Sequence, residues 1–369
     1  MENRRYYFLD NIRWVVVLLV LLYHVFYNYN SLGVFGAIGG FYPNQWQDTI
    51  CALLNPWFMS LLFIVAGASS RYALQRHNTK EFLRERRHKL LIPSTLGLFV
   101  FGWVLGVMNS NIAGADIPDT IPWVIKWIIY AISGTAHLWF IQDLFIFSIG
   151  LLLVRKLIDV ERVDRWLSGL KIWGYALIMV LFFAILWFSS KTQIDSPTAA
   201  QGLINLYRPV YYFVCFIAGY YIFSSEAIHN YLAERAKGLI IIASGAAICF
   251  TIRYYGEDYT LPNVVQSPIC ALFCWSMVLA MIGAFKRWAD NTTPFTSYMA
   301  RSSFGLYIVH MTICTAICLA LKQTALPIWS IYTITIGTTF AGSFLLWEIL
   351  HRIPLVRWCI FGIKAKSKR

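Results

Sequence analysis

The chain has 369 residues, 58% hydrophobic and only 13% charged, with a mean hydropathy of +0.58. Soluble domains carry roughly 25% charged residues, so this composition excludes a soluble enzyme, a disordered chain and a disulfide-stapled secreted domain. The net charge of +13 sits in short segments between apolar runs, so it reads as membrane orientation before nucleic-acid binding.

Ten apolar runs are long enough to span a bilayer: 12–29, 50–70, 90–110, 137–154, 171–190, 203–223, 238–253, 265–285, 302–321 and 327–349. The first follows basic residues, as in a signal peptide, but no small-residue cleavage site follows Leu22 and the run continues into Tyr23, His24 and Tyr27. An uncleaved first helix is predicted. The shorter stretch 121–133 is predicted to lie along the outer surface. With a cytoplasmic N-terminus, 25 of the 31 Lys and Arg fall on inner segments, and Lys126, Lys191, Arg253 and Lys322 on outer ones. The expected architecture is therefore an all-α polytopic membrane protein of about ten transmembrane helices with both termini cytoplasmic. No loop is long enough for a soluble domain, so residues 1–369 read as one transmembrane domain. Most of the eight cysteines lie inside apolar runs. Cys270/Cys274 and Cys314/Cys318 have helical i,i+4 spacing, but no His or carboxylate accompanies them, and no metal site is expected.

Polar side chains at bilayer depth are expensive and usually face the bundle interior. Helix one carries Asp10, Arg13 and His24. Eleven residues place Arg13 and His24 on one face, about 16 Å apart along the axis. That face has an anion-binding group near the cytoplasmic edge and a titratable imidazole above it; a snorkelling Arg with a hydrogen-bonded core His is the plainer alternative. Asp10 is spaced i,i+3 from Arg13 and is expected to hold it. Asp143 and Arg208 fall at similar depth below the outer face and are expected to pair or to serve the site, and His310 lies near mid-depth. The segment Arg84-Glu85-Arg86-Arg87-His88-Lys89 reads either as an anionic-lipid contact or as a dock for a phosphate-rich cytoplasmic ligand. No Walker or dinucleotide loop is present.

Together these segments resemble the acyltransferase 3 family of integral membrane O-acyltransferases. The resemblance rests on Arg5, Leu9-Asp10, Arg13 and His24 in helix one, on Phe58–Gly67, on Arg86–Pro93 entering helix three, on His137-Leu138-Trp139-Phe140 and on Ser303–His310. Lys89 stands where the family usually has Arg, which keeps the charge and loses the bidentate fork. The helix-three and helix-four segments are most similar to the branch that holds a periplasmic glucan succinyl-transfer protein. The resemblance implies a multi-pass enzyme of the inner membrane that takes an acyl group from cytoplasmic acyl-CoA to a hydroxyl, usually of a glycan, at the outer face. It further implies acetyl-CoA or succinyl-CoA as cosubstrate with no permanently bound cofactor, and no nucleic acid. His24 would be base or acyl carrier. Arg13, Arg86, Arg87 and Lys89 would meet the CoA phosphates, with Asp10 supporting Arg13. Asp143, Arg208 and His310 would shape the acceptor pocket.

A competing reading is a proton-coupled secondary transporter or a glycan or lipid exporter, in which Asp143, Arg208, His24 and His310 form a relay. Pro56, Pro209 and Pro268 interrupt spans, but the two halves of the chain do not match as inverted repeats would.

Overall fold

The computed structural model describes residues 6–114, 117–192, 203–204 and 206–363. Arg4, Arg5 and the basic tail 364–369, which enter the predicted charge asymmetry, lie outside the described residues. In chain order the helices are α1 (Tyr7–Asn28), α2 (Asp48–Leu54), α3 (Phe58–Arg76), α4 (Thr79–Arg86), α5 (Ile92–Gly97), α6 (Trp103–Ala113), α7 (Trp123–Ser133), α8 (Trp139–Leu157) and α9 (Val160–Ser168). They continue as α10 (Ile172–Ser190), α11 (Pro209–Tyr221), α12 (Glu226–Glu234), α13 (Ala236–Tyr254), α14 (Pro262–Val265), α15 (Pro268–Trp288), α16 (Pro294–Lys322), α17 (Ile328–Leu350) and α18 (Pro354–Phe361). No strand occurs among the described residues. The protein is an all-helical, multi-pass membrane protein.

Among the described residues nine helices are long and apolar enough to cross a membrane, where the sequence predicts ten. The missing one is the predicted span 203–223, whose helix is only the 13 residues of α11, about 20 Å long. The reason is local. Arg208 is in the left-handed region at φ 48°, and Pro209 then starts the helix at its first turn. Conversely, Thr79–Ala113 forms one helical stretch of 35 residues. The predicted basic loop is therefore the helical entry to the third span, capped by a reciprocal Asn78–Glu81 box. Two π-helical turns, Arg87–Leu91 and Leu98–Gly102, punctuate it.

The core follows from which helices bury most of their length. The α2–α3 segment and α15 have 67% and 61% of their apolar windows buried, whereas α10, α13 and α17 have 22% each and form the lipid-facing rim. α3 packs along α11, α1 along α16, and α16 along α17. Two glycines set the first contact: a Cβ on Gly67 would fall 2.0 Å from the Phe216 carbonyl oxygen, and one on Gly219 2.0 Å from that of Ile64.

Residues 123–133 do not lie flat on the outer surface as predicted. α7 runs back antiparallel along α6, so closely that a Cβ on Gly134 would meet the Gly102 carbonyl oxygen at 1.9 Å. Its outer face, including Trp123, Ile125 and Ile128, is exposed. This hairpin carries the chain back into the bundle before α8 begins. It brings His137, the first residue of the predicted run 137–154, to the level of α1 and α16 side chains.

Candidate active site

Three imidazoles from distant parts of the chain meet inside the bundle. His24 stands on α1, His310 on α16, and His137 on the 3-10 turn Ala136–Leu138 that follows the hairpin. The His24 and His310 ring centres are 4.9 Å apart, those of His137 and His310 5.0 Å, and those of His24 and His137 6.4 Å. His137 and His310 are buried.

Carbonyl partners fix the tautomers, because a carbonyl oxygen only accepts. His310 Nδ1 donates to the Tyr307 oxygen at 2.7 Å, with the Leu306 oxygen at 3.2 Å. Its Nε2 is therefore an acceptor. His24 Nδ1 lies 2.9 Å from the Val20 oxygen and 3.0 Å from His310 Nε2, so its proton is shared between those two acceptors. In the neutral form of His24 the proton is therefore on Nδ1 and the Nε2 lone pair is uncommitted. His137 is tied differently: Nε2 donates to the Ile308 oxygen at 3.1 Å, while Nδ1 is buried without a partner. Tyr307 supports this turn by donating its hydroxyl to the His137 carbonyl oxygen. Tyr23 and Tyr27 flank His24 edge-on. Gly97, Phe101, Leu105, Ile308 and Thr312 line a narrow, mostly apolar crevice beside His137.

Three turns from His24 along α1, Arg13 donates to Asp10 at 3.0 Å and to Ser69 Oγ at 2.9 Å. The predicted i,i+3 support by Asp10 is thus present. Arg86 donates to the adjacent Ser70 Oγ at 3.1 Å, rests over the Phe82 ring and lies within electrostatic reach of Arg13. The other two predicted cations diverge. The π-helical turn at Arg87–Leu91 rotates the chain, and Lys89 ends on an exposed ion pair with Glu85. Arg87 is exposed.

Asp143 and Arg208 are both buried but form no ion pair with each other. Depth along two helices says nothing about the direction in which each side chain points. Asp143 lies beside Tyr307, facing the Tyr207 backbone, and neither carboxylate oxygen closes a hydrogen bond of good geometry. Arg208 lies over the rings of Tyr211 and Tyr212, 4.3 and 5.6 Å from their centres. Among the described residues no group of three His, Cys, Asp or Glu side chains is arranged to hold a metal ion, and all eight cysteines are unpaired.

The arrangement offers a neutral imidazole with a free nitrogen, oriented by a second imidazole, and two cations at one end of the same helix face. The sequence names His24, Arg13, Asp10, Arg86 and His310. It quotes the His137-Leu138-Trp139-Phe140 segment without assigning His137 a place, because the α6–α7 hairpin that sets its depth has no hydropathy signature.

The model of a family described as "Acyltransferase domain" matches residues 6–348. Proteins named glucans biosynthesis protein C, from Escherichia coli O17:K52:H18 strain UMN026, O6:K15:H31 strain 536 and O9:H4 strain HS, are each 20% identical over 375 aligned positions. These alignments cover 99% of this chain and 96% of each relative. No solved structure matches.

Proposed function

The chain belongs to the acyltransferase 3 family and is a membrane acyltransferase, and from that premise we propose that it moves an acyl group from acyl-CoA, bound at a cytoplasmic mouth, to a hydroxyl of a glycan on the far side of an inner membrane. Both termini would then be cytoplasmic. The observation that carries this reading is the free His24 Nε2, oriented through Nδ1 and set three turns from the Arg13–Arg86 pair on the same helix face.

Arg13 and Arg86 suit the CoA phosphates, with Ser69 and Ser70 holding their forks side by side. Arg87 and Lys89 diverge from that pair and would contribute only longer-range charge. The gap of about 16 Å to His24 suits a long, thin pantetheine arm. His24 Nε2 then takes the acceptor's hydroxyl proton as the oxygen attacks the thioester carbonyl. A C–O bond forms, the C–S bond breaks, and the proton passes from His24 to the departing sulfur. If Nε2 attacks first instead, an acyl-imidazole carries the group before the same exchange completes. In both courses the His24 imidazolium is stabilised by its Nδ1–H bond to His310. The relatives' printed name, a protein of glucan biosynthesis, supports a glycan acceptor, and acetyl-CoA or succinyl-CoA is the donor class.

Purified full-length protein tests this with labelled acetyl-CoA and succinyl-CoA. We expect thioester hydrolysis and transfer by the wild type, and loss of at least about 10³-fold in His24→Ala with an unchanged melting temperature. Full transfer by His24→Ala would sink the assignment. A burst of labelled protein in the wild type that is absent in His24→Ala would select the acyl-imidazole course.

A further inference from the structure

We propose that Arg208 and the first turn of α11 form an anion-binding subsite, one that takes a carboxylate or phosphate carried by a substrate. The proposal rests on the acyltransferase reading only for which substrate carries that anion.

The subsite is at the His24 level and far from the Arg13–Arg86 mouth. α11 runs parallel to α3: Ser60 Oγ, near the start of α3, donates to the Tyr211 hydroxyl oxygen at 3.3 Å, and Gly219 meets Ile64 further along. The mouth uses Ser69 and Ser70 toward the other end of α3. The start of α3 is also where Tyr23, the neighbour of His24, packs its ring 5.0 Å from Phe58. Tyr207, next to Arg208, lies within electrostatic reach of both Tyr23 and Tyr27.

Three observations point to an anion there. Arg208 is only 9% exposed, and its Nε is buried without a hydrogen-bond partner. No ion pair or hydrogen bond to its side chain occurs among the described residues; it rests on the rings of Tyr211 and Tyr212. A buried cation without a counter-charge is strongly unfavourable, and two cation–π contacts offset only part of that. The tyrosine hydroxyl nearest the guanidinium's stacking face is engaged elsewhere, since Tyr211 Oη lies 3.2 Å from Cys274 Sγ.

The backbone supplies the second observation. Arg208 holds φ 48°, ψ 50° directly before a proline, where neither a bulky side chain nor the pre-proline position is comfortable. This conformation folds the guanidinium back over the first turn of α11. Third, that turn begins with Pro209, which has no N–H, and the first helical bond is Tyr212 N–H to the Arg208 oxygen. The Val210 and Tyr211 N–H groups therefore lack intrahelical acceptors at the positive end of the helix dipole. A fixed cation, two free donors and a helix N-terminus converge as they do where proteins hold carboxylate or phosphate.

The test uses full-length protein in lipid nanodiscs, with succinate and inorganic phosphate as probes and intrinsic tyrosine and tryptophan fluorescence as the readout. We expect saturable binding by the wild type, a loss of at least about tenfold in affinity for Arg208→Gln, and partial retention in Arg208→Lys. Melting temperatures of the two variants check that both fold. Equal probe binding by wild type and Arg208→Gln overturns the subsite. A second arm compares hydrolysis of succinyl-CoA and butyryl-CoA, which differ at the distal end of a four-carbon acyl group. A succinyl preference that Arg208→Gln erases supports an acyl-borne anion. Probe binding that depends on Arg208 and is displaced by acceptor, with the acyl preference unchanged, supports an acceptor-borne one. Arg208-dependent binding without any thioester hydrolysis would leave the subsite standing while the acyl-transfer reading falls.

Discussion

His24 is the one polar side chain whose position follows almost wholly from local rules. Its eleven-residue spacing from Arg13 puts both on one helix face, and the i,i+3 spacing of Asp10 holds Arg13 in place at 3.0 Å. What orients His24 was not legible, because His310 Nε2 reaches it across 286 residues and only tertiary packing of α1 on α16 brings the rings together. His310 was visible as a mid-depth polar residue and His137 only as part of a segment. The expected Asp143–Arg208 pair failed because insertion depth carries no information about azimuth. The His24–His310 bond yields a prediction. In His310→Leu the Nδ1–H keeps the Val20 oxygen as its acceptor but loses the imidazole that steadies the developing imidazolium. The kcat for thioester hydrolysis should fall about 10²-fold, while KM for acyl-CoA stays within about twofold because the Arg13–Arg86 mouth is untouched. His310→Gln, which restores an acceptor, should recover part of the loss. An unaltered kcat in His310→Leu would mean that the Val20 carbonyl alone orients the ring.

At the scale of the helices, hydropathy located the spans because lipid demands long apolar segments with internally satisfied backbones. It misjudged two places where backbone geometry decides: the shortened α11, stopped by the Arg208–Pro209 junction, and α7, whose return depends on glycines scattered over 32 positions. The α3–α11 contact is of the same kind and can be tested. A methyl group at Gly67 would meet the Phe216 carbonyl oxygen at 2.0 Å, and backbone cannot swing aside as a side chain can. Gly67→Ala should lower stability by about 1–3 kcal/mol, read as a depressed melting temperature in detergent. Gly238→Ala on α13, where a Cβ meets nothing within 4 Å, should leave it unchanged. A second element-level device lies outside the spans. His229 on α12 is fully buried against Tyr6 and Phe8, and its Nε2 donates to the Phe223 oxygen at 2.7 Å. Burial pushes its pKa down to about 4, opposed by the Phe223 bond; Lys286 and Arg71 lower it further and Asp290 raises it. The unfolded imidazole titrates near 6.5, so between these values the unfolded chain binds a proton that the folded chain refuses. The stability this group leaves intact above pH ~6.5 is lost as pH falls toward 4, by up to about 3 kcal/mol. Melting curves from pH 7.5 to 4.5 should therefore slope less in His229→Gln than in wild type, and identical slopes would remove His229 as the cause.

Across the whole molecule the two ends of the α1 face differ in kind. One end gathers Arg13 and Arg86 on neighbouring serines of α3. About 16 Å further along α1 stand the imidazoles, with Arg208 at the same level. A pair of partly exposed arginines at one end, set apart from the imidazoles by a buried interior, predicts that donor and acceptor are served from opposite faces of the membrane. Sealed vesicles of the two orientations provide the measurement. Labelled acyl-CoA, which does not cross a bilayer, is added outside, with a soluble glycan acceptor trapped inside. Vesicles whose Arg13 end faces outward should release free CoA to the outside and accumulate labelled glycan in the lumen. The opposite orientation should do neither until the vesicles are opened. If the CoA phosphates are held by the partly exposed Arg13 and Arg86, salt should weaken the productive orientation through KM for acyl-CoA, with little effect on kcat at the imidazole. In Arg13→Ala that salt dependence should diminish along with affinity. Labelled glycan forming only on the same side as the added acyl-CoA would be incompatible with transfer through the bundle, whatever His24 proves to do.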